Sequence, residues 1–278
     1  MRLLGSGAFA TVHAEFSRRH GRWVAVKQQH RAPAPWFGAD GGVAEECRCL
    51  AAASPHPNLP RLLGATPGDA RRPATIVMDK CGDCDLYDAL RVGVPPSSVT
   101  AILLGLLSAV AHLHHRRIVH RDIKPENIRV SGPGARLSCH LVDLGLARMC
   151  DHWPPLIHAQ GGTPAYMAPE LLSWPPSPYT DRCDCFGVGA VLCVLIAGRP
   201  TRAATGKETV RQARGSSGWA QRSPSVRDLA ESLTKPKGRN RPDATSACAS
   251  AARLAMGDTA RQAAGLAASL RAATSAGA

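Results

Sequence analysis

The chain is 278 residues long, 44% hydrophobic and only 4% aromatic, with a formal net charge of +13 and a pI near 9.8. That length allows one large domain or two lobes sharing a cleft, with a core built mainly from Ala, Leu, Val and Ile. A basic surface favours acidic partners, but the Lys and Arg residues are scattered and no recognition motif accompanies them, so no dedicated nucleic-acid site is expected.

In chain order, residues 1–30 read as strands. Leu3-Leu4, Ala10 to Ala14 and Trp23 to Lys27 are apolar or β-branched runs divided by Gly and charged turns. Residues 31–42, rich in Pro and Gly, read as loop, with Asp40 a candidate N-cap. Val43, Cys47 and Leu50 recur at helical spacing, so 43–53 is a short helix with one apolar face. Leu62-Leu63 and Thr75 to Met78 are two further strands. Beyond residue 84 the pattern becomes helical. Val99, Ile102, Leu103, Leu106, Val110 and Leu113 form one stripe of a long amphipathic helix, and 184–197 is apolar nearly all round, as in a helix buried at the centre of a domain. Between them lie short strands at Ile118-Val119, Ile128 to Val130 and Leu137 to Val142, the last two flanking a Ser-Gly-Pro-Gly turn. Residues 257–278 are Ala-rich with few large apolar groups and read as a frayed helix or disordered tail.

The opening Met1 to Gly7 lacks the continuous apolar region of a signal peptide, and the apolar runs 102–111 and 187–197 are too short to span a bilayer. Ten cysteines include Cys81-x-x-Cys84 and Cys183-x-Cys185, without His or a second pair at zinc spacing. A chain with this apolar content needs no disulfides, so free thiols in a reducing compartment are expected. The expectation is a soluble intracellular protein of cytoplasm or nucleus, with no membrane association.

The most informative stretch is Val119 to Ile128, Val-His-Arg-Asp-Ile-Lys-Pro-Glu-Asn-Ile. Asp122, Lys124 and Asn127 put a carboxylate, an ammonium and an amide on one short loop. Phosphoryl transfer needs such a set: one group orients a hydroxyl, one neutralises the γ-phosphate, one holds a metal. The run resembles the catalytic loop of the eukaryotic protein kinase family in its serine/threonine form, which Lys124 marks. Other segments extend the resemblance to about residue 255. Gly5-Ser6-Gly7-Ala8-Phe9-Ala10-Thr11-Val12 resembles the phosphate loop, with Ala10 in place of its third Gly. Val24-Ala25-Val26-Lys27 resembles the V-A-I-K strand, and Glu46 is its expected helix partner because it shares an inward face with Leu50. The neighbouring Glu45 better fits an exposed helix carboxylate. Asp143-Leu144-Gly145 resembles D-F-G. Gly162 to Glu170 resembles the peptide-docking segment that ends in A-P-E.

The resemblance implies an α+β, bilobal protein-kinase fold: a small antiparallel β lobe with one helix (1–80) and a larger, mainly helical lobe (81–256), together the kinase domain. It implies that Asp122 orients the substrate hydroxyl, that Lys27 and Glu46 position the phosphates, and that Asn127 and Asp143 ligate Mg²⁺. Thr163 is expected to bond to Asp122 or Lys124. Val12, Ala25, Met78 and Leu86 would line an ATP pocket whose base edge is read by backbone groups of Asp79 and Cys81. His120 is expected to be buried, Asp184 to cap the catalytic loop, and Arg241 to pair with Glu170.

Three departures stand out. Residues 146–162 contain no Ser, Thr or Tyr, although the family commonly orders this segment by a phosphate paired with the Arg that Arg121 matches. Asp151 pairing with Arg121, or a regulatory partner, would have to serve instead. Arg129 replaces the apolar residue expected beneath the adenine and would either stack on the base or point away from it. Only four residues precede Gly5, so the first strand is expected to be minimal, and a truncated N-terminus is the alternative. The function implied is an ATP- and Mg²⁺-dependent kinase acting on Ser or Thr of protein substrates. A non-catalytic scaffold of the same fold is the alternative, and a small-molecule phosphotransferase is disfavoured by the docking segment. Asp85 and Glu126 stand where basophilic members carry carboxylates for a substrate Arg.

Overall fold

A computed structural model describes residues 1–7, 10–30, 42–69, 71–132, 137–157, 161–173 and 178–257. Ala8 and Phe9, the Asp40 cap, most of the Pro/Gly loop and the tail beyond 257 lie outside the described residues.

The N-terminal runs form an antiparallel sheet in the order β1-β2-β3-β5-β4, from β1 (Arg2–Ser6), β2 (Ala10–Ser17), β3 (Arg22–Gln29), β4 (Leu62–Thr66) and β5 (Thr75–Asp79). Lys27 stands on the central strand, opposite Val12 on one side and Ile76 on the other. Helix α1 (Val43–Ala53) covers this sheet and buries Glu45, Glu46, Cys49, Leu50 and Ala53. Its first turn has no side-chain cap, and the carboxylates there suit the positive end of the helix dipole.

The second lobe is built around α4 (Arg182–Ala197), whose residues from Cys183 to Ile196 are all buried. Each such Val, Leu or Ile contributes roughly 1.5–3 kcal/mol relative to exposure. Around it pack α3 (Val99–His115), α5 (Gly206–Arg214), α6 (Ser217–Gln221) and α7 (Pro224–Leu233), and α8 (244–257) adds Ala244, Ala247 and Ala251 to the core. The α4–α7 crossing is close: a Cβ on Gly189 would meet the side chain of Thr234 at 2.7 Å and that of Leu233 at 2.8 Å. The stretch Pro96–His115 is, by length and composition alone, apolar enough to cross a membrane. Here its Val99, Ile102, Leu103, Leu106, Val110 and Leu113 stripe is buried against the rest of the lobe, as in a core helix.

Two small sheets lie between the lobes' main elements. β7 (Ile118–Val119) pairs with β10 (Arg148–Met149), and the order β6-β8-β9 joins Cys84–Asp85, Ile128–Ser131 and Ser138–Leu141. β6 and β10 have two residues each, too few for a periodic signal, and were not expected. Asp85 caps the short helix α2 (Leu86–Val92) by accepting from Asp88 N–H. All ten cysteines are free, Cys81 and Cys84 among them.

Candidate active site

The catalytic loop runs from β7 to β8 and is held from below. Asp184, the one acidic residue in the first turn of α4, accepts from His120 N–H and Arg121 N–H, both at 2.8 Å, and from His114 Nε2 at 2.9 Å. Burial works against the charge of Asp184, but these donors outweigh it and hold its pKa below the ordinary carboxylate value. His120 is fully buried, and Arg121 takes φ +72, a left-handed backbone that non-glycine residues occupy at a cost of about 1–3 kcal/mol.

On this base Asp122, Lys124 and Thr163 close a triangle. The Thr163 hydroxyl donates to Asp122 Oδ1 at 2.9 Å, Lys124 Nζ lies 2.7 Å from Asp122 Oδ2, and Lys124 Nζ donates to Thr163 Oγ1 at 2.8 Å. Gly162 lets the docking segment come this close: its φ is +118, and a Cβ there would stand 2.8 Å from the Arg121 carbonyl. The segment is anchored by Glu170, which Arg241 grips bidentately at 2.6 and 2.8 Å. Arg241 has no exposed side-chain surface and also donates to the carbonyls of Lys235, Pro236 and Arg182.

Across the cleft, Lys27 Nζ bonds both oxygens of Glu46, at 2.7 and 2.8 Å, and Asp143 Oδ1 at 2.6 Å. Burial opposes the Lys27 charge, yet the carboxylates of Asp143 and Glu46 prevail and raise its pKa above the ordinary lysine value. Burial pushes Glu46 up against the pull of Lys27. Partial desolvation pushes Asp143 up, but its side chain keeps nearly half of its surface exposed, and Lys27 and Gly145 N–H hold it below its usual range.

Asn127 donates through Nδ2 to the backbone and carboxylate oxygens of Asp122, which leaves its side-chain oxygen as an acceptor. Among the described residues no three or more His, Cys, Asp or Glu side chains cluster as a metal cage. One carboxylate and one amide oxygen fit a small hard cation that keeps its remaining positions for water and phosphate oxygens, as Mg²⁺ does.

Above this pair, Gly5 and Gly7 flank the β1–β2 turn, where Gly7 N–H bonds the Ala10 carbonyl at 3.0 Å. Among the described residues, a Cβ added at Gly5 meets nothing within 4 Å, and one at Gly7 reaches only the Ala10 carbonyl at 4.0 Å.

A protein kinase domain model matches residues 1–251. The chain belongs to the protein kinase domain family. It is 33% identical over 204 residues to the serine/threonine-protein kinase CHK1 of Saccharomyces cerevisiae, covering 70% of this chain and 38% of that protein. It is 31% identical to the serine/threonine-protein kinase pkn2 of Myxococcus xanthus, covering 72% and 24%, and 32% identical to the CBL-interacting protein kinase 19 of Oryza sativa, covering 71% and 38%. The kinase domain thus spans a minor part of the length of these relatives.

Within this kinase fold the structure joins Lys27, Glu46 and Asp143 in one set of contacts and Asp122, Lys124, Asn127 and Thr163 in another. Val12, Ala25, Met78 and Cys81 stand on β2, β3, β5 and the segment that follows β5, with Ser6 at the end of β1. Three expectations are corrected. Leu86 has no accessible surface at the start of α2, so it belongs to the lower lobe's core and offers nothing to a ligand. Glu45 is buried, not exposed: its Oε1 accepts from Met149 N–H at 3.0 Å and its Oε2 pairs with Arg48 at 2.9 Å. Among the described residues Arg121 makes no ion pair with Asp151. It donates to Tyr179 Oη at 2.8 Å and the Leu146 carbonyl at 3.1 Å, while Asp151 offers its backbone carbonyl to Arg117. Arg129, for which stacking on the base and pointing away were both open, turns toward the segment 81–83 that links the lobes and donates to the carbonyls of Cys81 at 3.4 Å and Asp83 at 3.2 Å. The Asp79 side chain faces away, toward Arg22 and Arg61, which leaves only its backbone for the cleft.

His114 and Tyr179 were not anticipated. Each acts through a partner 58 or more positions away in the chain, and nothing local in the sequence marks it.

Proposed function

We propose that this kinase domain is catalytically active and transfers the γ-phosphate of ATP to Ser or Thr hydroxyls of protein substrates. The supporting observation is the closed Asp122–Lys124–Thr163 triangle together with an assembled Lys27–Glu46–Asp143 set. Asp122 orients the substrate hydroxyl and takes its proton, and Lys124 neutralises charge beside it. Lys27, steadied by Glu46, sets the α- and β-phosphates, and Asn127 and Asp143 hold Mg²⁺. The bound Mg²⁺ would supply neutralisation of phosphate charge. Lys124 and Thr163 support serine/threonine over tyrosine substrates, as do the printed names of the relatives. Ten free thiols favour a reducing, intracellular setting.

A scaffold without turnover is the second reading. Arg129 favours it, because its Nε engages the Cys81 carbonyl on the edge assigned to the base. The two are separated by incubating the purified chain with labelled Mg²⁺-ATP and generic protein substrates. Acid-stable label on Ser or Thr that disappears in Asp122→Asn supports the kinase. No label, with Mg²⁺-ATP binding or partner capture intact, supports the scaffold.

A further inference from the structure

Residues 146–162 offer no hydroxyl for phosphorylation, yet the described parts of this segment are tied down at both ends. On the Asp143 side, Met149 is paired into β10 against Ile118, and Cys150 N–H bonds the Arg117 carbonyl at 2.9 Å. On the far side, Ile157 and Tyr179 exchange backbone hydrogen bonds at 2.9 and 3.1 Å.

We infer that Glu45 and Tyr179 are positioning residues that hold the activation segment in its catalytic register without a covalent phosphate. The inference rests on the kinase reading above. Phosphates order such segments by giving the catalytic-loop Arg an acceptor and by bridging to neighbouring elements. Tyr179 takes the first task. Its phenol oxygen accepts from Arg121 Nε at 2.8 Å while its backbone holds Ile157, so one buried residue joins the catalytic loop to the far end of the segment. Burial pushes this phenol up to about 12, so it stays neutral and fixed across the working pH range. Glu45 takes the second task. It reaches from the first turn of α1 to Met149 N–H, and Arg48 lies on both Glu45 and the Met149 sulfur. Because Glu45 adjoins Glu46, whatever seats the segment also seats the helix that presents Glu46 to Lys27.

The test uses full-length protein treated with phosphatase and verified as unphosphorylated by intact mass. Wild type is compared with Tyr179→Phe, Glu45→Ala and Glu45→Gln by peptide-phosphorylation kinetics and by hydrogen exchange over 146–157. Wild type should lose no rate on phosphatase treatment. Tyr179→Phe and Glu45→Ala should each lower kcat about ten-fold, the weight of one charge-assisted hydrogen bond, with the KM for ATP moving less than about two-fold. Glu45→Gln keeps an acceptor for Met149 N–H and should restore most of the rate. Exchange over 146–157 should quicken in the two impaired variants while thermal unfolding stays cooperative. Unchanged kcat and unchanged exchange in both variants would overturn the inference, as would loss of wild-type turnover on phosphatase treatment. If untreated wild type transfers no phosphate, the kinase reading fails, and the exchange data alone then decide whether Glu45 and Tyr179 hold the segment.

Discussion

Gly82 and Arg129 meet where the two lobes join, with no room between them for a side chain. A Cβ added at Gly82 would stand 2.7 Å from Arg129 Cβ, and Gly82 has φ +58. That approach brings the Cys81 and Asp83 carbonyls within reach of the Arg129 guanidinium, with the Asp85 carboxylate 3.9 Å away. Arg129, standing where the resemblance implies an apolar residue beneath the adenine, is thus a bracket across the lobe junction.

Two substitutions test the bracket. Arg129→Leu removes the donors to two carbonyls and should lower unfolding free energy by about 1.5–3 kcal/mol in urea titration. Gly82→Val combines a left-handed backbone with a direct clash and should destabilise by about 1–3 kcal/mol. Unfolding curves superimposable on wild type would remove Arg129 from this role.

Asp122→Asn leaves a side chain of the same shape that cannot accept the substrate proton. Phosphoryl transfer should fall by roughly 10²–10⁴ while nucleotide affinity, measured by calorimetry, changes less than about two-fold. A rate within three-fold of wild type would contradict the role proposed for Asp122.

Lys27→Met strands Glu46 as a buried, unpaired carboxylate, which typically costs about 3–5 kcal/mol. Replacing Glu46 by Leu in the same chain should recover much of that stability without recovering turnover. Thermal melts and initial rates of the single and double variants separate the two effects.

His56 gives a pH dependence of known sign. Desolvation first, then the neighbouring His112, lower its pKa from 6.5 to about 4. Its Nδ1 accepts from Asn58 N–H at 3.1 Å, and its ring lies 4.7 Å from that of His112 on α3. The fold holds His56 neutral, so the associated stability is complete above pH 6.5 and drains away as pH falls toward 4. His56→Gln should flatten the stability profile between pH 6.5 and 5, relative to wild type. Parallel profiles would show that other groups set the acid limb.

What was legible in the sequence was local. Glu46 could be chosen because Leu50 lies one helical turn on and faces the same core, and the structure places the two as expected. Asp184 and Arg241 were assigned through the family resemblance, and both pairings are present. Glu45 was misread because its partner is a backbone N–H 104 residues away, and a backbone donor leaves no mark in composition or spacing. The direction of Arg129 depends on β6, a two-residue strand that turns the 81–85 segment toward it. Leu86 looked like a pocket residue because it is apolar at the right place in the chain, but the start of α2 sinks it below the cleft.

The Lys27–Asp143 contact implies a logical condition on what can enter the cleft. A metal ion alone would draw Asp143 away and leave the ammonium short of one partner. A polyphosphate alone would draw Lys27 away and leave Asp143 without its counter-charge. Only a ligand that brings anion and cation together compensates both sides of the exchange. On the proposed function the cleft therefore operates as a conjunction, responsive to the metal–nucleotide complex and poorly responsive to either half on its own.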